Sequence, residues 1–223
     1  MAWNAGRPAG AASIGTRDRI KRVATELLVK HGFRGTNFRT IAERLATTTT
    51  NIHYHFGTKS RLVEEVVRDY VADAGQRQKR IWLDDSASLR EKLRNAAAIN
   101  HQRHRKFNRG TRTNRPWSLI GRLRLEIDVL TPGAVAVLGT FTTDVNTCVR
   151  AAVDAAARRG ELRADAPLDH ITVLLAAIVN SGAVLSQDAG SLEGLDKLFE
   201  ALDQVILLPY TTSMRPRLML IGD

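Results

Sequence analysis

Between Thr16 and Phe56 the apolar residues fall into three helical stripes separated by breaks so short that the helices must fold back on one another. Ile20, Val23, Ala24, Leu27 and Leu28 recur at i, i+3, i+4, i+7 and i+8, one face of a helix that Thr16 can cap and Gly32 can end. A second helix starts after Thr36 and turns Phe38, Ile41, Ala42 and Leu45 inward. A third follows the run Thr47 to Thr50 and buries Ile52 and Phe56. The second and third, with their turn, occupy Asn37 to Phe56, which is the spacing of a helix-turn-helix. Ala42 is small where the two helices cross. Ala46 stands where such a turn favours glycine, because the backbone there takes φ > 0, and an alanine adopts that conformation at a cost on the order of 1 kcal/mol.

The side chains left outward on the third helix are Thr49, Thr50, Asn51, His53, Tyr54 and His55. Asparagine can bond an adenine edge with two hydrogen bonds, threonine methyls can meet thymine methyls, and Tyr and His can donate to phosphates. Lys59 follows at the start of the next helix. The charge agrees with a polyanionic partner. The chain of 223 residues carries 33 Lys and Arg against 23 Asp and Glu, a net charge of +10. Residues 1–60 hold 10 bases and 3 acids, residues 61–130 hold 16 and 9, and residues 131–223 hold 7 and 11. A basic first half and a mildly acidic second half suggest two functions on one chain.

The stretches FRTIAERL and TTTTNIHYHFGTKSRLVEEV resemble the DNA-binding domain of the tetracycline-repressor (TetR) family of bacterial transcription regulators, over about residues 16–65. The ending HYHFGTK, with Phe56 and Lys59 at the family's spacing, is the specific part. The four-threonine run replaces the more usual turn and helix start, and His53 stands where Tyr is common. By this resemblance Thr36, Asn37 and Arg39 touch or flank the phosphate backbone, and Thr48 caps the recognition helix. Thr49, Thr50, Asn51 and Tyr54 form the base-facing set, while His53, His55 and Lys59 take phosphate-contacting positions. The family implies an all-α fold, a C-terminal domain of about six helices, a small-molecule effector, and a homodimer formed by the last two long helices.

Beyond the motif, helical patterns run over Thr58–Leu83, Ser88–Phe107, Pro116–Val129, Pro132–Arg159, Leu168–Gln187 and Ser191–Leu208, with no convincing strand and no repeat. The expected organisation is a disordered arm at 1–15, the helix-turn-helix domain at 16–60, an effector and dimerisation domain at 61–208, and an irregular tail at 209–223. Trp82, Trp117 and Phe141 lie on different predicted helices and could line a ligand cavity or simply fill the core. Ala177, Ser181 and Gly182 are small at helical spacing, and Leu192, Leu195, Leu198, Leu202 and Val205 form an apolar stripe. Together they are the expected dimer interface.

Other chemistries find little support. No run approaches the ~20 apolar residues of a membrane span, and no signal peptide core is present, so the cytoplasm is the expected compartment. Cys148 is a lone thiol, suited to burial. His53 and His55 do not share a helix face, and His101 and His104 are surrounded by Arg103, Arg105 and Lys106, so no metal or other cofactor is expected. GxSxG, HExxH and phosphate-cradling glycine loops are missing, which argues against an enzyme. The reading is a ligand-responsive repressor, a homodimer on a palindromic double-stranded operator. An architectural nucleic-acid binder without effector control is the rival. One feature lies outside the resemblance: between Glu91 and Glu126 there are ten bases and no acid.

Overall fold

Nine α-helices follow one another in the residues that a computed structural model describes, 15–109, 115–188 and 191–212. They are α1 Thr16–His31, α2 Phe38–Leu45, α3 Thr49–Phe56, α4 Lys59–Trp82, α5 Leu89–Asn108, α6 Leu119–Arg124, α7 Pro132–Arg158, α8 Leu168–Asp188 and α9 Glu193–Ala201. The all-helical class read from the periodicity is thus the class observed. Residues 1–14 of the expected arm and 213–223 of the expected tail lie outside the described residues.

The first three helices form a small unit around Ile20, Ala24, Leu28, Ile41, Ala42, Ile52 and Phe56, all buried. Gly15, not Thr16, takes the cap position of α1 and supplies no side-chain cap. Gly32, at φ 69°, closes that helix. Asn37 caps α2, its side-chain oxygen accepting from the Thr40 amide at 2.9 Å. Ala46 follows at φ 50° and ψ 48°, the left-handed conformation that the turn requires.

Helix α4 is 24 residues long, about 36 Å at the usual rise, and belongs to both halves of the chain. It packs against α1 and α3 as well as α5, α6 and α7, and Leu62, Val63, Val71 and Ala74 are among its buried residues. The boundary expected at residue 60 therefore falls in its first turn. Its far end is closed by a buried lysine: Lys92 donates to the Trp82 carbonyl at 3.0 Å, and burial pushes that ammonium's pKa down. Helix α5 starts with a capping box between Ser88 and Glu91 and returns antiparallel to α4, bringing Arg103 over Tyr70 at 4.8 Å.

Two expected helices are shorter than their patterns. The segment 116–129 is helical only over Leu119–Arg124, because Ser118 takes the cap and accepts from the Gly121 amide. Its remainder is a 3₁₀ turn at Ile127–Val129. The last helix is regular to Ala201 and then widens over Leu202–Leu207 ahead of Pro209, whose ring displaces the carbonyl four residues back. The first residues of the expected tail are anchored: Thr211 bridges Leu162, and the Thr212 amide donates to the Glu161 carbonyl at 2.9 Å.

Helix α8 also departs from the hydropathy reading. Leu168–Gln187 has a mean hydropathy of 1.7 and is only 33% buried, so it is long and apolar enough to cross a membrane by composition. Polar residues such as Thr172, Asn180 and Ser181 interrupt it, which is why no unbroken run stands out in the sequence.

Candidate nucleic-acid interface and inner cavity

The outer face of α3 is held rigid by its ends. At the start, the Thr48 hydroxyl accepts from the Asn51 amide at 3.2 Å. At the finish, Gly57 at φ 69° closes the helix and His53 Nδ1 lies 2.8 Å from the Gly57 carbonyl, its ring edge-on to Phe38. Arg17 of α1 completes the clamp. Its guanidinium donates to the His55 carbonyl at 2.5 Å, pairs with Glu65 and stacks over Phe56 at 4.4 Å. Sequence reasoning missed Arg17, because its partners lie 38 and 48 residues away and leave no local signal.

Thr49, Thr50, His53 and Tyr54 are exposed, Tyr54 to 85%. Arg39 is also exposed and pairs with Glu43, one turn on. Asn51 is half-buried, and its amide donates to the Thr47 hydroxyl at 3.0 Å, leaving its oxygen as the freer end. Besides Asn37 and His53, two more of the anticipated backbone-contacting side chains make internal bonds. Thr36 is buried and donates to the Gly32 carbonyl at 2.7 Å. Lys59 donates to the Phe33 carbonyl at 3.0 Å and sits 4.0 Å from that ring, where burial lowers its pKa. Both hold the α1–α2 turn.

A second feature lies about midway along the fold. Tyr70, Ala74, Arg77 and Gln78 of α4, Ile99, Asn100 and Arg103 of α5, Trp117 and Ser118, Ile120 and Gly121 of α6, Phe141 of α7, and Val179, Asn180 and Ala183 of α8 enclose a cavity of about 50 Å³. Trp117 and Phe141, two of the three aromatics singled out, line it. Trp82 does not: it is buried in the core, its indole donating to Gln78 at 3.0 Å.

The cavity is wired to the DNA-binding unit by α4 and by the segment after α6. Glu126 accepts from the Phe33 amide at 2.5 Å, Arg34 pairs with Asp128, and Arg122 reaches the His31 carbonyl at 3.5 Å. Among the described residues no cluster of His, Cys, Asp and Glu is arranged to hold a metal. Cys148 is buried, and burial raises its pKa.

Residues 20–66 match the family model of bacterial regulatory proteins, tetR family. The HTH-type transcriptional repressor KstR2 of Mycolicibacterium smegmatis is 32% identical over 77 residues, which span 34% of this chain and 37% of that protein. Solved structures share the architecture far beyond the motif. A TetR regulator from Legionella pneumophila superposes with a TM-score of 0.71 at 20% identity, covering 88% of this chain and 100% of the other. A regulator from Saccharomonospora viridis, solved with choline, gives 0.70 at 20% identity over 88% and 98%. The reduced form of Escherichia coli NemR gives 0.70 at 15% identity over 84% and 94%. Residues 20–66 thus form a helix-turn-helix unit of the kind that the tetR family model describes, and the helical body behind it has the fold of solved TetR regulators.

Proposed function

We propose that the chain is a repressor that reads a near-palindromic operator as a homodimer and releases it when a small molecule enters the inner cavity. The observation that carries DNA reading is the capped, clamped α3, which presents Thr49, Thr50 and Tyr54 exposed on its outer side with the half-buried Asn51 beside them and His53 at its edge. His55 and Arg39 flank that face and suit phosphates. The repressor KstR2 supports the sign of regulation, and the choline complex of the Saccharomonospora protein supports a small-molecule effector.

The dimer rests on exposed apolar surface. On α8, Val173 is 64% exposed, and Leu174, Ala177, Ser181 and Leu185 share its outward side. Leu198 on α9, and Val205 and Leu208 beyond it, are exposed as well. A second copy covering both helices would bury this surface in a four-helix arrangement. Three anticipated interface residues act inside the protomer instead: Gly182, Leu195 and Leu202 are buried, and a Cβ on Gly182 would come 3.2 Å from Leu195 Cδ1. Leu192 is half-buried against the same core.

Release follows from size. A cavity of about 50 Å³ has room for a few waters at most, whereas ligand sites commonly measure roughly 300 to 1,000 Å³. An effector must therefore part α4 from α6. Both are tied to the α1–α2 turn, so the two recognition helices of a dimer change spacing and no longer fit half-sites one helical turn apart. A mobility-shift assay on the gene's own upstream intergenic DNA, with unrelated duplex as competitor, tests the reading. Retention of the upstream fragment under competition supports it, and equal displacement by unrelated duplex favours the architectural alternative.

A further inference from the structure

Among the described residues several half-buried cations meet an acid, while Lys59 and the buried Lys92 are answered by backbone carbonyls. Arg90 pairs with Asp203 at 2.5 Å, Lys79 with Asp144 at 3.2 Å, and Arg150 with Asp169 at 2.6 Å. Around the inner cavity one cation has neither. Arg103 lines it with no carboxylate beside it, only the Tyr70 ring at 4.8 Å, and burial pushes its pKa down to about 10. Arg77 spends one nitrogen on Asp73 while its buried Nη2 has no hydrogen-bond partner. Arg124, next to the lining residues Phe141 and Asn180, is answered only by the Asn180 carbonyl at 2.9 Å and the Thr142 hydroxyl at 2.6 Å. Among the described residues no Asp or Glu lines the cavity.

A desolvated guanidinium without a counter-charge is unfavourable, and several around one space repel each other. An oxyanion entering that space would relieve both, because the planar fork of an arginine matches the two oxygens of a carboxylate. The remaining walls set the body of the molecule. Trp117, Ile120, Phe141, Val179 and Ala183 are apolar or aromatic, and Asn180 Oδ1 is buried with no partner, free to accept one hydrogen bond.

We infer that the effector is a small amphipathic carboxylate whose charged end lies between Arg103 and Arg77 and whose apolar body packs on Trp117 and Phe141. This rests on the cavity being the effector site. It also sets this chain against cationic ligands, which would find three guanidinium groups around the site and no acid among the residues that line it.

Two isosteric series of probes test it on the full chain: octanoate, octanamide and octylamine, and 3-phenylpropionate, 3-phenylpropanamide and 3-phenylpropylamine. Calorimetric affinity and melting temperature are read without DNA, and operator binding is measured separately. In at least one series the carboxylate is expected to bind roughly tenfold or more tightly than its amide, as a charge-assisted pair in a partly dry site should, and the amine is expected not to bind. Arg103→Gln should remove the preference for the carboxylate, and Arg103→Lys should retain part of it, separating lost charge from lost folding. If neither carboxylate binds, or if an amide or amine binds as well as its carboxylate, the inference is overturned. If a carboxylate binds with the expected preference but leaves the operator complex intact, the ligand class stands and the effector reading of the cavity falls.

Discussion

The carboxylate of Glu126 accepts a hydrogen bond from the backbone amide of Phe33 at 2.5 Å, joining the segment after α6 to the turn between α1 and α2. The same carboxylate lies against Gly32, where any Cβ would collide with it, and faces Arg122 at 3.6 Å. One acid thus fastens the helical body to the turn between α1 and α2. Glu126→Ala would leave the Phe33 amide unpaired and is expected to cost about 1 to 3 kcal/mol of stability in chemical denaturation. Its diagnostic effect is on coupling: Glu126→Gln, which keeps shape and an acceptor, should bind operator near normally but need more effector for release. A variant with unchanged effector response would remove this carboxylate from the route between the two sites.

The turn of the helix-turn-helix holds a small reserve of stability. Ala46 sits at φ 50°, a conformation in which its Cβ crowds the following carbonyl. Ala46→Gly removes the crowding but adds freedom to the unfolded chain, and the two effects oppose each other. The native-state term is the larger, so a net stabilisation of roughly 0.5 to 1 kcal/mol is expected, with operator affinity unchanged. A fall in melting temperature would show that the alanine methyl contributes packing that outweighs its strain.

What could be read along the chain was whatever a short window contains. The α1 stripe and its Gly32 stop, the left-handed Ala46 and the outward set on α3 all depend on neighbours within a few residues. The cavity does not. Trp82, Trp117 and Phe141 look alike in sequence, yet Trp82 lies where Lys92 caps α4 and only the other two face the space between helices. Gly182 and Leu195 share this limit: small and apolar at helical spacing, they suit a partner helix equally in the same protomer or in another, and the crossing of α8 with α9 decides. Arg17 and Glu126, whose partners are distant in sequence, carried no pattern at all.

That division yields a test of the dimer. Val205 and Leu198 are exposed, so Val205→Asp with Leu198→Asp should give a folded monomer in sedimentation at micromolar concentration, with operator affinity lost because half-sites are no longer bridged. Leu195 is 2% exposed and packs on Gly182, so Leu195→Asp should instead lower the melting temperature by several degrees as a buried charge without a partner. A dimer persisting in the double variant would place the interface elsewhere.

Recognition itself should separate from stability. Tyr54 is 85% exposed and its ring leans only on His55, at 5.4 Å, so Tyr54→Ala is expected to weaken operator binding by roughly 1 to 3 kcal/mol while the melting temperature stays unchanged. Asn51→Ala should lose a similar amount of affinity and a little stability, since its amide also bonds Thr47. Full operator affinity in both variants would mean that another face reads the DNA.

The basic stretch after Glu91 gives the last prediction. Helix α5 runs back along α4, so Arg103 stands over Tyr70 and the end of α5, with exposed Arg105, Lys106 and Arg109, lies further toward the DNA-binding unit. Arg112, part of the same stretch, lies outside the described residues. Cations held there would meet phosphates at the operator flanks and strengthen binding to any sequence, because such backbone pairing carries no base information. Replacing Arg105, Lys106 and Arg109 together by Ser should therefore lower specific and non-specific affinity in parallel. It should also flatten the plot of log affinity against log salt by roughly 0.9 for each phosphate that is no longer neutralised. An unchanged slope would make these residues solvated surface, and a loss confined to effector response would assign them to the entrance of the cavity instead.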